Sequence, residues 1–120
     1  MSPIHNATLN KQVRGDVVTP AASAARTATG DSGWLEADEY RNLSLTLATT
    51  AKTGTPTLNV TVETRENSSD SARSLGTFAQ QTDVASERKT FVGLDRQYRV
   101  VWTIAGGSPN ITFSITGIAK

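Results

Sequence analysis

Four stretches of this chain alternate strictly between apolar and polar residues, and that alternation limits what it can fold into. Leu43, Leu45 and Leu47 face one way while Asn42, Ser44 and Thr46 face the other. Leu58, Val60 and Val62 repeat the pattern against Asn59, Thr61 and Glu63. Tyr98, Val100, Trp102 and Ile104 form a third set, and Ile111, Phe113 and Ile115 a fourth. A period of two puts successive side chains on opposite faces of a strand, so these residues are the predicted core of half-buried strands. No segment carries the sustained 3.6-residue stripe that an amphipathic helix needs. Shorter strand candidates lie in SGWLEA (32–37), SLGTFAQ (74–80) and RKTFVGL (88–94).

Turn chemistry separates the runs. AKTGTP (51–56) divides the Leu43 run from the Leu58 run, ENSSDSA (66–72) precedes Leu75, and AGGSPN (105–110) reads as the loop of a closing hairpin. Glycine supplies positive φ in such loops, and proline cannot extend a ladder. LDRQYR (94–99) reads as a corner leading into a strand, with Asp95 and Arg96 satisfying local backbone or each other. The fold class that follows is all-β, a single antiparallel β-sandwich of about seven strands, jelly-roll or immunoglobulin-like. A chain of 120 residues fits one domain and buries a core without staples. Residues 1–28 differ from the rest. TPAASAARTATG is small and polar, so this segment is expected to be an extended arm, with room for one short strand, leading into a sandwich domain over 29–120.

The residues offer little material for catalysis. The chain has no cysteine, hence no thiolate nucleophile and no disulfide framework. His5 is the single histidine and lies in the arm, so a zinc site would rest on carboxylates alone. Carboxylates do occur in pairs: Asp38 with Glu39, and Glu63 with Glu66 near Asp70. A glycosidase needs two carboxyls converging across a cleft, and nothing in the pattern buries these. Glu66, Asn67 and Asp70 are oxygen ligands of the kind calcium takes, without the ligand spacing of a calcium loop. Asp31-Ser32-Gly33 has no histidine to activate its serine, and KTGTP lacks the ending of a phosphate loop. No catalytic, cofactor or metal residue is therefore assigned, and an enzyme is not expected.

A net charge of +1 is too balanced to imply nucleic acid as an obligatory partner. Arg96 and Arg99 flank Tyr98, the raw material of a base-stacking platform, but Tyr98 shares its face with the predicted core. Arg99 points the other way, towards an acidic neighbour. The Arg14-Gly15-Asp16 tripeptide matches a cell-attachment motif in three residues, a match that arises easily by chance. No apolar run is long enough to span a bilayer, and the first residues lack the apolar core of a secretory signal. No membrane role follows, and synthesis in the cytoplasm of the producing cell is expected.

Three stretches, in order, carry a resemblance: SGWLEADEYRNLSLTL, then GTPTLNVTVETRENSSDSARSLGTFAQQT, then SERKTFVGLDRQYRVVWTIAGGSPNITFSITG. Together they resemble small β-sandwich virion proteins of tailed bacteriophages, of the capsid decoration or cement type. The entry Gly-Thr-Pro-Thr-Leu, the Leu-Gly-Thr-Phe stretch and the Gly-Leu-Asp-Arg to Trp-Thr-Ile run are the features in common. RENSSDSARSLG departs from the tryptophan-bearing turn of that pattern, and the arm is not covered. The resemblance implies a non-enzymatic structural protein on the capsid surface of a virion, made in the host bacterium, that binds and stabilises the shell. Its partners would be the major capsid protein, other copies of itself, or both. In that role the arm docks on capsid or on an adjacent copy, with Val13, Val17 and Val18 as apolar anchors and Arg14 as a charged contact. The alternatives are a head–tail connector or tail component, and a receptor- or carbohydrate-binding module. The last would display aromatics on loops, whereas Trp34, Tyr40, Phe78 and Phe91 each fit a core position.

Overall fold

The computed structural model describes residues 15–37 and 39–120, which form one open antiparallel sheet of seven strands. In chain order these are β1 (Asp16–Arg26), β2 (Gly30–Asp31), β3 (Leu35–Glu36), β4 (Asn42–Arg65), β5 (Arg73–Thr77), β6 (Ala85–Val92) and β7 (Gln97–Ala119). Two strands dominate. β4 has 24 residues and β7 has 23, and they pair along their whole lengths, from Leu43↔Ala119 to Arg65↔Gln97.

AKTGTP and AGGSPN are therefore not the separating turn and hairpin loop that their glycines and prolines suggest. They run through the middle of β4 and β7 and pair with each other, Thr53 with Asn110 and Pro56 with Gly106. The four alternating runs are the two halves of two long strands. In β4 the buried set switches from odd positions (Leu43, Leu45, Leu47) to even ones (Leu58, Val60, Val62), and β7 switches likewise from Ile104 to Ile111. The register shifts between Thr49/Ala51 and Thr53/Thr55 lie where the parity changes. An extra residue in one strand bends it and turns later side chains to the other face. Pro56, which has no N–H to donate, sits in this irregular stretch, where a ladder tolerates it.

The bend folds the sheet back on itself. Trp102 and Phe113 both belong to β7, and an extended strand would hold them roughly 36 Å apart. Their ring centroids are 5.6 Å apart, edge to face. At the other pole, the backbone N–H of Leu94 donates to the carbonyl of Arg41, while that of Asp95 donates to Thr64 Oγ1. Consecutive residues thus tie together the two ends of β4. One half of the folded sheet comprises β1, the second half of β7, the first half of β4, and β6; the other comprises β2 and β3, the first half of β7, the second half of β4, and β5. Between them lies the core, which holds every residue the alternation singles out, Leu43 through Ile115, together with Phe78 and Phe91. Phe78 and Phe91 meet edge to face at 5.3 Å and join the two halves at β5 and β6. Full burial of each aliphatic side chain contributes about 1.5–3 kcal/mol.

A buried polar clasp holds the bend. Gln81 exchanges backbone hydrogen bonds with Leu58 in one half and accepts a 2.5 Å bond from Thr49 Oγ1 in the other. Among the described residues no buried side-chain nitrogen or oxygen lacks a partner.

Candidate functional site

Of the residues predicted to contact a shell or a neighbour, Val13 and Arg14 lie outside the described residues, as does His5. Val17 and Val18 fall in β1, which pairs with the last part of β7 of the same chain, Val17 with Ile118 and Val18 with Gly117. Val18 packs against the core, whereas Val17 is 79% exposed. β1 joins the sheet although its sequence, DVVTPAASAAR, has no regular alternation. Two register shifts, at Val18/Ala21 and Ala21/Ala24, bring Ala21 into the core despite Pro20.

Arg26 closes this strand. Its guanidinium lies 4.3 Å from the centre of the Phe113 ring and 4.8 Å from that of Trp102. It also donates to the carbonyls of Phe113 and Ala22, each at 2.8 Å. Burial lowers its pKa from the ordinary arginine value. At the other end of β1, Tyr40 donates a 2.6 Å hydrogen bond to Asp16 Oδ2. That bond, with desolvation and the Asp16 charge adding to it, pushes the Tyr40 phenol up to about 12. No sequence pattern marks either latch, because each joins residues distant in the chain.

Two carboxylates, Glu63 and Asp95, tie strands together. Glu63 accepts a 2.8 Å bond from Arg99 Nε across the β4–β7 ladder, the acidic partner expected for that arginine. Asp95 pairs with Arg73 at 3.1 Å, which brings it a side-chain partner from β5. Asn67 Oδ1 accepts from the N–H and the hydroxyl of Ser69, closing a local turn in the loop considered for calcium. Among the described residues no three His, Cys, Asp or Glu side chains gather in metal-binding range. Tyr98, considered for stacking, is buried, and burial raises its phenol pKa. No helix among the described residues is long and apolar enough to cross a membrane.

Trp34 is the residue whose placement corrects the sequence reading. It is only half-buried and stands outside the core cluster. Arg65 and Arg99 lie over its ring at 4.0 and 4.6 Å. β2 and β3, on either side of it, are two residues each, too short for alternation to fix which way it faces. With Glu63 and Gln97 it makes the outer face of its half-sheet a connected polar layer, since Arg65 Nε also donates to Gln97 Oε1.

Two concavities border the pole where the ends of β4 meet. One, of about 340 Å³, is lined by residues including Tyr40, Arg41, Glu66 and Arg96. The other, of about 400 Å³, lies on the outer face of the half-sheet that holds β1 and β6, between Ser44, Arg88, Val92 and Ile118. Charges of both signs line the first; the second has only basic ones. No family model and no curated protein matches the sequence.

Proposed function

We propose that this chain is a non-enzymatic structural protein of a tailed-phage virion, a decoration or cement protein that binds the capsid shell and stabilises it. One structural observation carries the reading beside the sequence resemblance. Glu63, one of the carboxylates weighed for chemistry, braces the β4–β7 ladder through Arg99, and Asp95 with Arg73 and Asp16 with Tyr40 tie further segments together. A sheet braced in this way presents surfaces, and surfaces are what a shell-binding protein works with. The partners are the major capsid protein and neighbouring copies of the chain. Weak contacts of this kind gain strength when many are made on one particle.

The test is quantitative binding of the purified protein to phage heads expanded without it, with melting of the heads followed in parallel. Saturable binding at high copy number, together with a raised melting temperature, is the expected result. If the protein leaves the shell bare, the reading fails. Copy number in intact particles then separates a connector from a host-binding module.

A further inference from the structure

The two outer faces of the folded sheet differ in a way that the alternation of the strands does not require. The face over β2, β3 and β5 is charged, and its charges are paired beneath Trp34. On the opposite face, the outward positions of β4 and of the last part of β7 are Asn, Ser, Thr, Ala and Ile: Asn42, Ser44, Thr46 and Ala48, then Thr112, Ser114, Thr116 and Ile118. Among the described residues no carboxylate stands at an outward position of these strands or of β1 and β6. Glu87 and Lys89 of β6 have the inward parity and bond to Ala79 and Thr77. Among the described residues the charges on this face are Arg88, which lies across β4 to donate to Thr46 Oγ1, and Lys120 at the corner.

Among the described residues three large hydrophobes are exposed, Val17, Val84 and Val92, and this same face carries Val17 and Val92. Val17 is 79% exposed and Val92 65% exposed. Val17 pairs with Ile118, Ile118 with Ser44, and Ser44 with Thr90, so one row crosses four strands with Val92 beside it. Isolated strand edges and faces in monomers are normally guarded by charge, and an apolar face without such guards marks a contact. In the sequence, the residues before Asp16 include Lys11 and Arg14 and no acidic residue.

We propose that the outer face of β1, β7, β4 and β6, centred on Val17, Ile118 and Val92, is the surface by which the chain seats on its protein partner. The occupant is an apolar protein surface that bears carboxylates opposite Arg88 and Lys120. Among the described residues the charges on this face, Arg88 and Lys120, are both basic. A second copy presenting the same face would set like charges against each other, and so would the chain's own first residues. An acidic apolar surface satisfies both the valines and the two cations. This inference rests on the shell-protein reading, and the acidic surface is then one on the assembled shell.

The experiment compares binding to heads expanded without the protein for wild type, Arg88→Glu, Val92→Glu and Thr103→Glu. Thr103 is an exposed position on the first half of β7, on the other face, and Thr103→Glu adds the same charge as Val92→Glu. A milder Val92→Ala variant and melting curves exclude loss of the fold as the cause. The expected result is at least a tenfold loss of affinity for Arg88→Glu and Val92→Glu, a smaller loss for Val92→Ala, and none for Thr103→Glu. Wild-type affinity should also fall as salt is raised. If wild type binds and the face variants bind equally, the surface is wrong while the shell reading stands. Equal loss in Thr103→Glu overturns it too, as a general charge effect. If wild type does not bind heads at all, both readings fall together.

Discussion

Tyr40 and Asp16 show how a single side-chain contact sets the pH behaviour of this fold. The phenol is raised in the folded state because it donates to a carboxylate, and ionising it removes the donor and sets two negative charges side by side. A folded pKa of about 12, above the unfolded value near 10, means that the contact stabilises fully below pH 10 and is lost as pH rises through 12. Unfolding free energy measured by urea titration between pH 9 and pH 12 should therefore fall with rising pH, and more steeply in wild type than in Tyr40→Phe. Tyr98 is shifted in the same direction by burial and remains in the variant, so some slope persists. A variant whose curve runs parallel to wild type throughout would mean that the latch adds nothing.

At the scale of elements, the bend in β4 and β7 decides the fold. Gly106 holds φ at +113°, and a Cβ there would meet the backbone carbonyl of Thr55. Backbone cannot rotate out of the way as a side chain does. Gly106→Ala is therefore expected to cost about 1–3 kcal/mol from the backbone conformation alone, with the contact adding to it. A drop in the urea midpoint at unchanged slope would show it; a midpoint within error of wild type would mean that the bend relaxes without cost. The facing of each half-strand was legible in the sequence, because Leu43, Val60, Val100 and Phe113 declare it at a period of two. The continuity of the strands was not. Gly54, Pro56, Gly106 and Gly107 belong to the vocabulary of turns, and only their pairing with each other across the sheet makes them strand. Nor could β1 be read as a strand of this sheet from its alanines. Its place depends on Arg26 reaching two aromatic rings from the far end of the chain. Among the residues of the proposed contact face, Val17 was legible as an anchor candidate, while Val92 and Arg88 were not. Their significance comes from lying beside Ile118 and Ser44, which the order of the chain conceals.

For the whole molecule, the question is where the removable part ends. Deleting residues 2–14 keeps β1 and its ladder to β7, so it should lower the melting temperature less than a deletion that removes them. A deletion of residues 2–26 also removes β1, its ladder to β7 and the Arg26 cap over Trp102 and Phe113. At roughly 1 kcal/mol per lost ladder bond, stability should drop by at least about 3 kcal/mol. If both truncations melt with wild type, β1 is a passenger on the sheet. If both unfold, the first residues contribute to the fold itself.

The pairing of β4 with β7 also fixes an order of events as the chain leaves the ribosome. Gln97 reaches Arg65 across a gap of 32 residues, but Leu43 waits for Ala119, which is made much later. The ladder can close only from its near end outwards, and so many distant pairings favour slow folding. During the wait, β6 emerges early enough to pair with the first half of β4, Phe91 opposite Leu43 and Glu87 opposite Leu47. A nascent chain halted just short of Ile111 already holds partners for Leu58, Val60 and Val62 on both sides. The three leucines at the start of β4 would have one neighbour and an open flank, and this is where a stalled molecule is most exposed to chaperones and to its own kind.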